Sequence, residues 1–143
     1  MKRRAIVAVT ILFLAIAWGR ALWGASTARA GWNPPSGVLI AATEQTERGK
    51  GLFAMNCAKC HGDQGQGTAD GPKIIGTPNR LANYMTAMGL FDFVSKEMPG
   101  DAPGSLMPQV YWDVLAFILE SNKALPPDTI LGPENAANIR LTP

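Results

Sequence analysis

The only two cysteines and the only histidine of this 143-residue chain stand together, as Cys57-Ala58-Lys59-Cys60-His61. A single imidazole excludes every centre built from two or more histidines of one chain: bis-histidine haem, His-rich zinc or copper, di-iron, HExxH hydrolysis. C-x-x-C-H is instead the attachment sequence of c-type haem. Two thiols three positions apart at the end of a helix reach the two vinyl groups of one porphyrin, and the adjacent imidazole comes to lie under the iron as proximal ligand. A thioredoxin-type pair would need a strand before Cys57, and none is readable there. A disulfide would leave His61 without a role, and zinc would need a carboxylate to complete its ligands.

The N-terminus reads as an address. Lys2, Arg3 and Arg4 precede an uncharged run over residues 5–19, closed by Arg20. A spanning helix needs roughly 20 apolar residues and a secretory h-region roughly 7–15, so residues 1–30 are expected to be a signal peptide, cleaved after Ala28 or Ala30. The alternative is an anchor retained through residues 5–23, with Trp18, Trp23 and Trp32 at the interface. Either way the working domain lies outside the cytoplasm, in the periplasm or tethered at its membrane. The formal charge of +2 depends on this segment, because five of the 13 basic residues lie within it. The remainder is mildly acidic, which argues against a nucleic-acid partner and leaves room for steering of basic protein partners.

Residues 31–42 contain Pro34, Pro35 and Gly37 and show no helical period, so an extended leader is expected. Thr43 can cap a first helix with Glu44 and Glu47 near its positive end. Its buried face would include Gly49, Leu52 and Phe53. Five glycines and Pro72 between residues 62 and 76 predict a loop on a tight path. Neither GxxxxGK[ST] nor a strand-borne GxGxxG is present, so phosphate binding gains no support. Leu90, Phe93 and Val94 suit a short helix ending near Met98-Pro99. Pro108 opens the most apolar helix, through Tyr111, Val114, Leu115, Phe117, Ile118 and Leu119 to about Asn122. Residues 123–143 read as an irregular tail. The chain is expected to hold one mostly helical domain over residues 43–122.

His61 covers one face of an iron, and methionine best suits the other in an electron carrier, since its soft thioether stabilises the reduced metal. Met55 stands on the proximal side, two residues before Cys57. Met85, Met88, Met98 and Met107 remain, each of which could simply be core filler. Met98 differs in ending a helix before a stiffening proline, with 36 residues between it and His61 to carry the chain round the porphyrin. Met107 and Met88 are the reserves.

Two stretches carry a family resemblance. Residues 43–67, TEQTERGKGLFAMNCAKCHGDQGQG, with GPKIIG at 71–76, form the first. Met98-Pro99, PGSL at 103–106 and YWDVLAFIL at 111–119 form the second. Together they resemble the class I single-haem c-type cytochromes, especially bacterial domains that serve periplasmic dehydrogenases, over residues 40–141. The resemblance implies an all-α cytochrome c fold, with N- and C-terminal helices crossing around one covalently bound haem c. It also points to Met98 as second axial ligand and to the Pro72 carbonyl as acceptor of the His61 Nδ1 hydrogen. Gly49 and Phe53 would meet Phe117 at the helix crossing, and Asn79, Arg80 or Tyr84 could bond propionates. Leu52, Ile74, Ile75, Leu81, Leu90, Phe93, Leu115 and Ile118 would wall the pocket.

A six-ligand iron leaves no vacancy for substrate, so the expected role is one-electron transfer and not catalysis. Partners would be exported redox proteins: a dehydrogenase, and a terminal oxidase or another cytochrome. The alternatives are a haem subunit fixed to a dehydrogenase, with residues 123–143 as an interaction arm, or a gas sensor or peroxidase with an open sixth site.

Overall fold

The computed structural model describes residues 36–141. The signal-like segment 1–30, residues 31–35 of the expected leader, Thr142 and Pro143 lie outside the described residues. Among the described residues four α-helices follow in order: α1 Ser36–Asn56, α2 Ala58–His61, α3 Ala87–Glu97 and α4 Pro108–Ser121. Two 3-10 turns, Leu81–Tyr84 and Ala136–Asn138, interrupt the connecting loops. Among the described residues there is no strand, only an isolated antiparallel bridge between Thr86 and Arg140. No helix among them is long and apolar enough to cross a membrane.

The first helix begins at Ser36 and not at Thr43, so residues 36–42 of the expected leader are helical. Thr43 is therefore interior and caps nothing. Pro34, Pro35 and Gly37 mask these turns in the sequence, and within them Ile40 is 57% exposed. By contrast, α3 starts as a helix should, with the Thr86 hydroxyl accepting the Gly89 N–H at 3.1 Å. It ends at Glu97 before Met98-Pro99, and α4 opens on Pro108, a residue whose missing N–H costs nothing in a first turn.

The core lies where α1 and α4 cross. Phe53, Leu115 and Leu119 are almost fully buried there. Each such side chain withdrawn from water contributes about 1.5–3 kcal/mol. Gly49 permits the crossing: a Cβ on it would lie 2.6 Å from the Asp113 carbonyl carbon and 3.1 Å from Phe117 Cβ. One turn on, the Phe53 and Phe117 rings pack with centroids 5.4 Å apart. Asp113, buried at this contact, is satisfied by Arg48 Nε at 3.1 Å and Gln109 Nε2 at 2.9 Å, as a desolvated carboxylate requires.

Residues 123–141 hold little regular structure, yet they are no free arm. Leu131, Ala136, Ile139 and Leu141 are buried in the same core. The packed unit thus runs on to Leu141, beyond the boundary expected at residue 122. Gln45, 1% exposed on α1, donates through Nε2 to the Leu131 carbonyl and accepts the Leu131 N–H, both at 2.8 Å. The Ala87 N–H donates to the Ile139 carbonyl and the Leu141 N–H to the Met85 carbonyl, each at 2.9 Å, which ties the chain's end to the start of α3.

Candidate haem site

The end of α1 delivers the C-x-x-C-H motif. Cys57 N–H still bonds the Phe53 carbonyl at 2.8 Å, then α2 continues the path with His61 N–H on the Cys57 carbonyl at 3.0 Å. One helical turn therefore presents both sulfurs and the imidazole together, and Cys57, Cys60 and His61 all line one cavity of about 450 Å³. That is a normal size for a small-molecule or cofactor pocket. Burial, and the neighbouring Cys60, push the Cys57 thiol up to about 11. A thiol so disposed stays protonated at neutral pH, unlike the acidic cysteine of a redox pair.

The glycine-rich loop holds the imidazole. Gly71 packs so closely on Cys60 that a Cβ would lie 2.7 Å from its carbonyl oxygen, and Thr68 donates its hydroxyl to the same oxygen. This path sets the Pro72 carbonyl 2.7 Å from His61 Nδ1. A carbonyl can only accept, so the proton sits on Nδ1 and the Nε2 lone pair is free for a metal. The same bond fixes the direction of the ring.

Among the described methionines, only Met55 and Met98 line the cavity. Met55 precedes Cys57 on the same helical segment and is 74% exposed, whereas Met98 is half-buried at the end of α3. Met107, one reserve, lies outside the cavity and is 72% exposed, and Met88, the other, packs against the hydrophobic core outside it. Of the expected walls, Ile74, Leu81, Leu90, Phe93, Leu115 and Ile118 line the space; Leu52 and Ile75 do not. Leu52 packs against the hydrophobic core, and Ile75 lies over Gly65. Val94, Leu106, Tyr111 and Val114 join the lining instead.

Arg80 and Tyr84 also line the cavity, while Asn79 does not. The Asn79 amide bonds the Gly76 carbonyl at 2.8 Å and Asn122 Oδ1 at 3.1 Å, so it stabilises the loop. Asn122 is a hub that the sequence reading passed over as a helix end: it also accepts the Gly76 N–H at 3.0 Å and donates to the Ile74 carbonyl at 2.9 Å. At the rim, exposed Lys59 meets Asp101 at 2.9 Å, joining the C-x-x-C-H turn to the loop after Met98.

The donor set fits a haem: two thiols, a neutral imidazole with a free nitrogen and a thioether all face one apolar space. Together with helices that cross through a glycine contact, these groups define a class I c-type cytochrome. The family described as cytochrome c oxidase, cbb3-type, subunit III, matches residues 44–118, and the chain belongs to it. It is 32% identical over 88 residues to a thiosulfate dehydrogenase from Allochromatium vinosum, a match covering 54% of this chain and 32% of that protein. The crystal structure of the sulfane dehydrogenase SoxCD from Paracoccus pantotrophus contains a chain 30% identical, with a TM-score of 0.56, over 67% of this chain and 52% of that one. This chain thus spans about a third to a half of the relatives it matches. The expected all-α cytochrome c fold and covalently bound haem c hold, and the domain is an electron-transfer module.

Proposed function

We propose that Cys57 and Cys60 bear the haem, that His61 and Met98 are its axial ligands, and that the chain passes single electrons from an exported dehydrogenase of sulfur compounds to a further redox protein. The observation that carries the ligand assignment is the meeting of Met98 and a tautomer-fixed His61 on one cavity. When bound, the haem supplies an iron that gains or loses one electron. The residues do the rest. Pro72 holds the imidazole, Met98 fills the sixth position and bars exogenous ligands, and the walls exclude water, which favours the ferrous state. This reading disfavours a gas sensor or peroxidase.

The dehydrogenase partner is supported by the relatives' names. Neither name is that of an oxidase, so the acceptor is left open. The N-terminal segment 1–30 supports a periplasmic location. Lys59, Lys73 and Arg80 line the cavity against Asp101, which Lys59 pairs, and the two propionates that a haem brings would balance Lys73 and Arg80, so steering falls to the mildly acidic body.

The test is Met98→Ala in the ferric holoprotein. Loss of the weak thioether–iron absorption at about 695 nm, with a lower potential, is expected. A retained band would move the ligand role to another methionine. Copurification with a dehydrogenase from the native host checks the partner; a protein that purifies alone and reduces at a salt-dependent rate would favour the diffusing carrier.

A further inference from the structure

We infer that Tyr111 is a positioning residue for Met98, its hydroxyl fixing the loop that brings the sulfur into the cavity. The inference rests on the assignment of Met98 as axial ligand. Helix α3 ends at Glu97, and Met98 is extended, its N–H making the helix's last bond to the Val94 carbonyl at 3.0 Å. From there to Leu106 the chain is a loop exposed over residues 100–105, with no buried side chain to anchor it. Its internal bonds are few, Ala102 N–H to the Pro99 carbonyl at 2.9 Å, Ser105 N–H to the Ala102 carbonyl at 3.3 Å and Gly104 N–H to the Met98 carbonyl at 3.3 Å, the last longer than the phenol's bond to that oxygen. Lys59 holds the loop from outside through Asp101, but that pair is exposed and screened by salt.

Both ends of the loop converge on one buried atom. The Tyr111 hydroxyl donates to the Met98 carbonyl at 2.7 Å and accepts the Leu106 N–H at 3.3 Å. Tyr111 is 4% exposed on α4, its ring edge-on to Phe91 with centroids 6.4 Å apart, and Phe91 stacks on Trp112 at 3.8 Å. The phenol is thus fixed by the core while the loop has no core anchor of its own. A buried tyrosine must find partners for its hydroxyl somewhere. Here the partners are the two residues that set where the loop leaves and rejoins the helices. Because the bond is to the backbone of Met98 itself, it restrains the base of the side chain without touching the sulfur.

The experiment compares ferric holoproteins of wild type, Tyr111→Phe, Gln45→Leu and Met98→Ala. Removing one oxygen in Tyr111→Phe should weaken the thioether band and speed cyanide binding at neutral pH by about fivefold, the factor supplied by one hydrogen bond of ordinary strength. Gln45→Leu destabilises the fold away from the cavity and keeps the phenol and its packing; it should lower the melting temperature and leave the cyanide rate unchanged. Tyr111→Phe binding cyanide at the wild-type rate would overturn the inference, as would equal acceleration in Gln45→Leu. A band that persists in Met98→Ala would overturn the ligand assignment beneath it, and is read separately.

Discussion

Two glycines two positions apart on α1 should respond to alanine with opposite signs. In a helix interior, Gly→Ala stabilises by roughly 0.5–1 kcal/mol, because alanine loses less backbone freedom on folding. At Gly51 a Cβ would meet nothing within 4 Å, so the full gain is expected. At Gly49 the new carbon would lie 2.6 Å from the Asp113 carbonyl carbon, where ordinary contact begins at 3.4 Å. The nearest obstacle is the Asp113 carbonyl oxygen, backbone in the middle of α4 that cannot rotate aside, so the helices must part by more than an ångström and loosen the Phe53–Phe117 contact. Overpacking of this kind costs about 1–3 kcal/mol and outweighs the propensity gain. Gly49→Ala should therefore lose about 1–2 kcal/mol net, and the two variants should differ by about 2–3 kcal/mol, or roughly 8–20 °C in melting temperature for a domain of this size. Thermal and urea unfolding of the holoproteins, followed by far-ultraviolet circular dichroism, measures both. A Gly49→Ala protein as stable as Gly51→Ala would refute the close crossing.

Gln45→Leu leaves the buried N–H and carbonyl of Leu131 without partners, which should cost roughly 2–5 kcal/mol in urea unfolding; a change under about 0.5 kcal/mol would mean the tail is held by other contacts. Replacing Cys57 and Cys60 by alanine should leave haem that acid-acetone extracts, and haem retained in the protein fraction would contradict the attachment. Lys59 holds the Asp101 carboxyl below its ordinary value of 3.8, so the tie between them is complete above that pH and is lost as pH falls below it. The melting temperatures of Asp101→Asn and wild type should accordingly converge on acidification below about pH 3.8, and a gap that widens there would reverse the assignment.

The attachment motif was legible because its chemistry is contained in five adjacent residues, and α3 and α4 because their apolar spacing marks the faces that pack. The start of α1 was not, since Pro34, Pro35 and Gly37 read as breakers while the helix begins directly after the two prolines. Contacts made by amides to distant backbone leave no periodic trace either. Gln45 reads as one polar residue in a helix, and nothing near it signals Leu131. Tyr111 reads as one more member of the apolar face, which its ring is; the partners of its hydroxyl depend on how the Met98 loop closes. Asn79 was one of three propionate candidates that the family resemblance implied, but its amide is engaged by Asn122, 43 positions later.

The amide clasp between Gln45 and Leu131 joins residues 86 apart. Sealing the core therefore waits on a contact that spans most of the described residues, whereas the turn that carries both sulfurs needs only the five from Cys57 to His61. Loading the pigment onto a pliant chain and letting compaction follow is the order that this difference in reach favours.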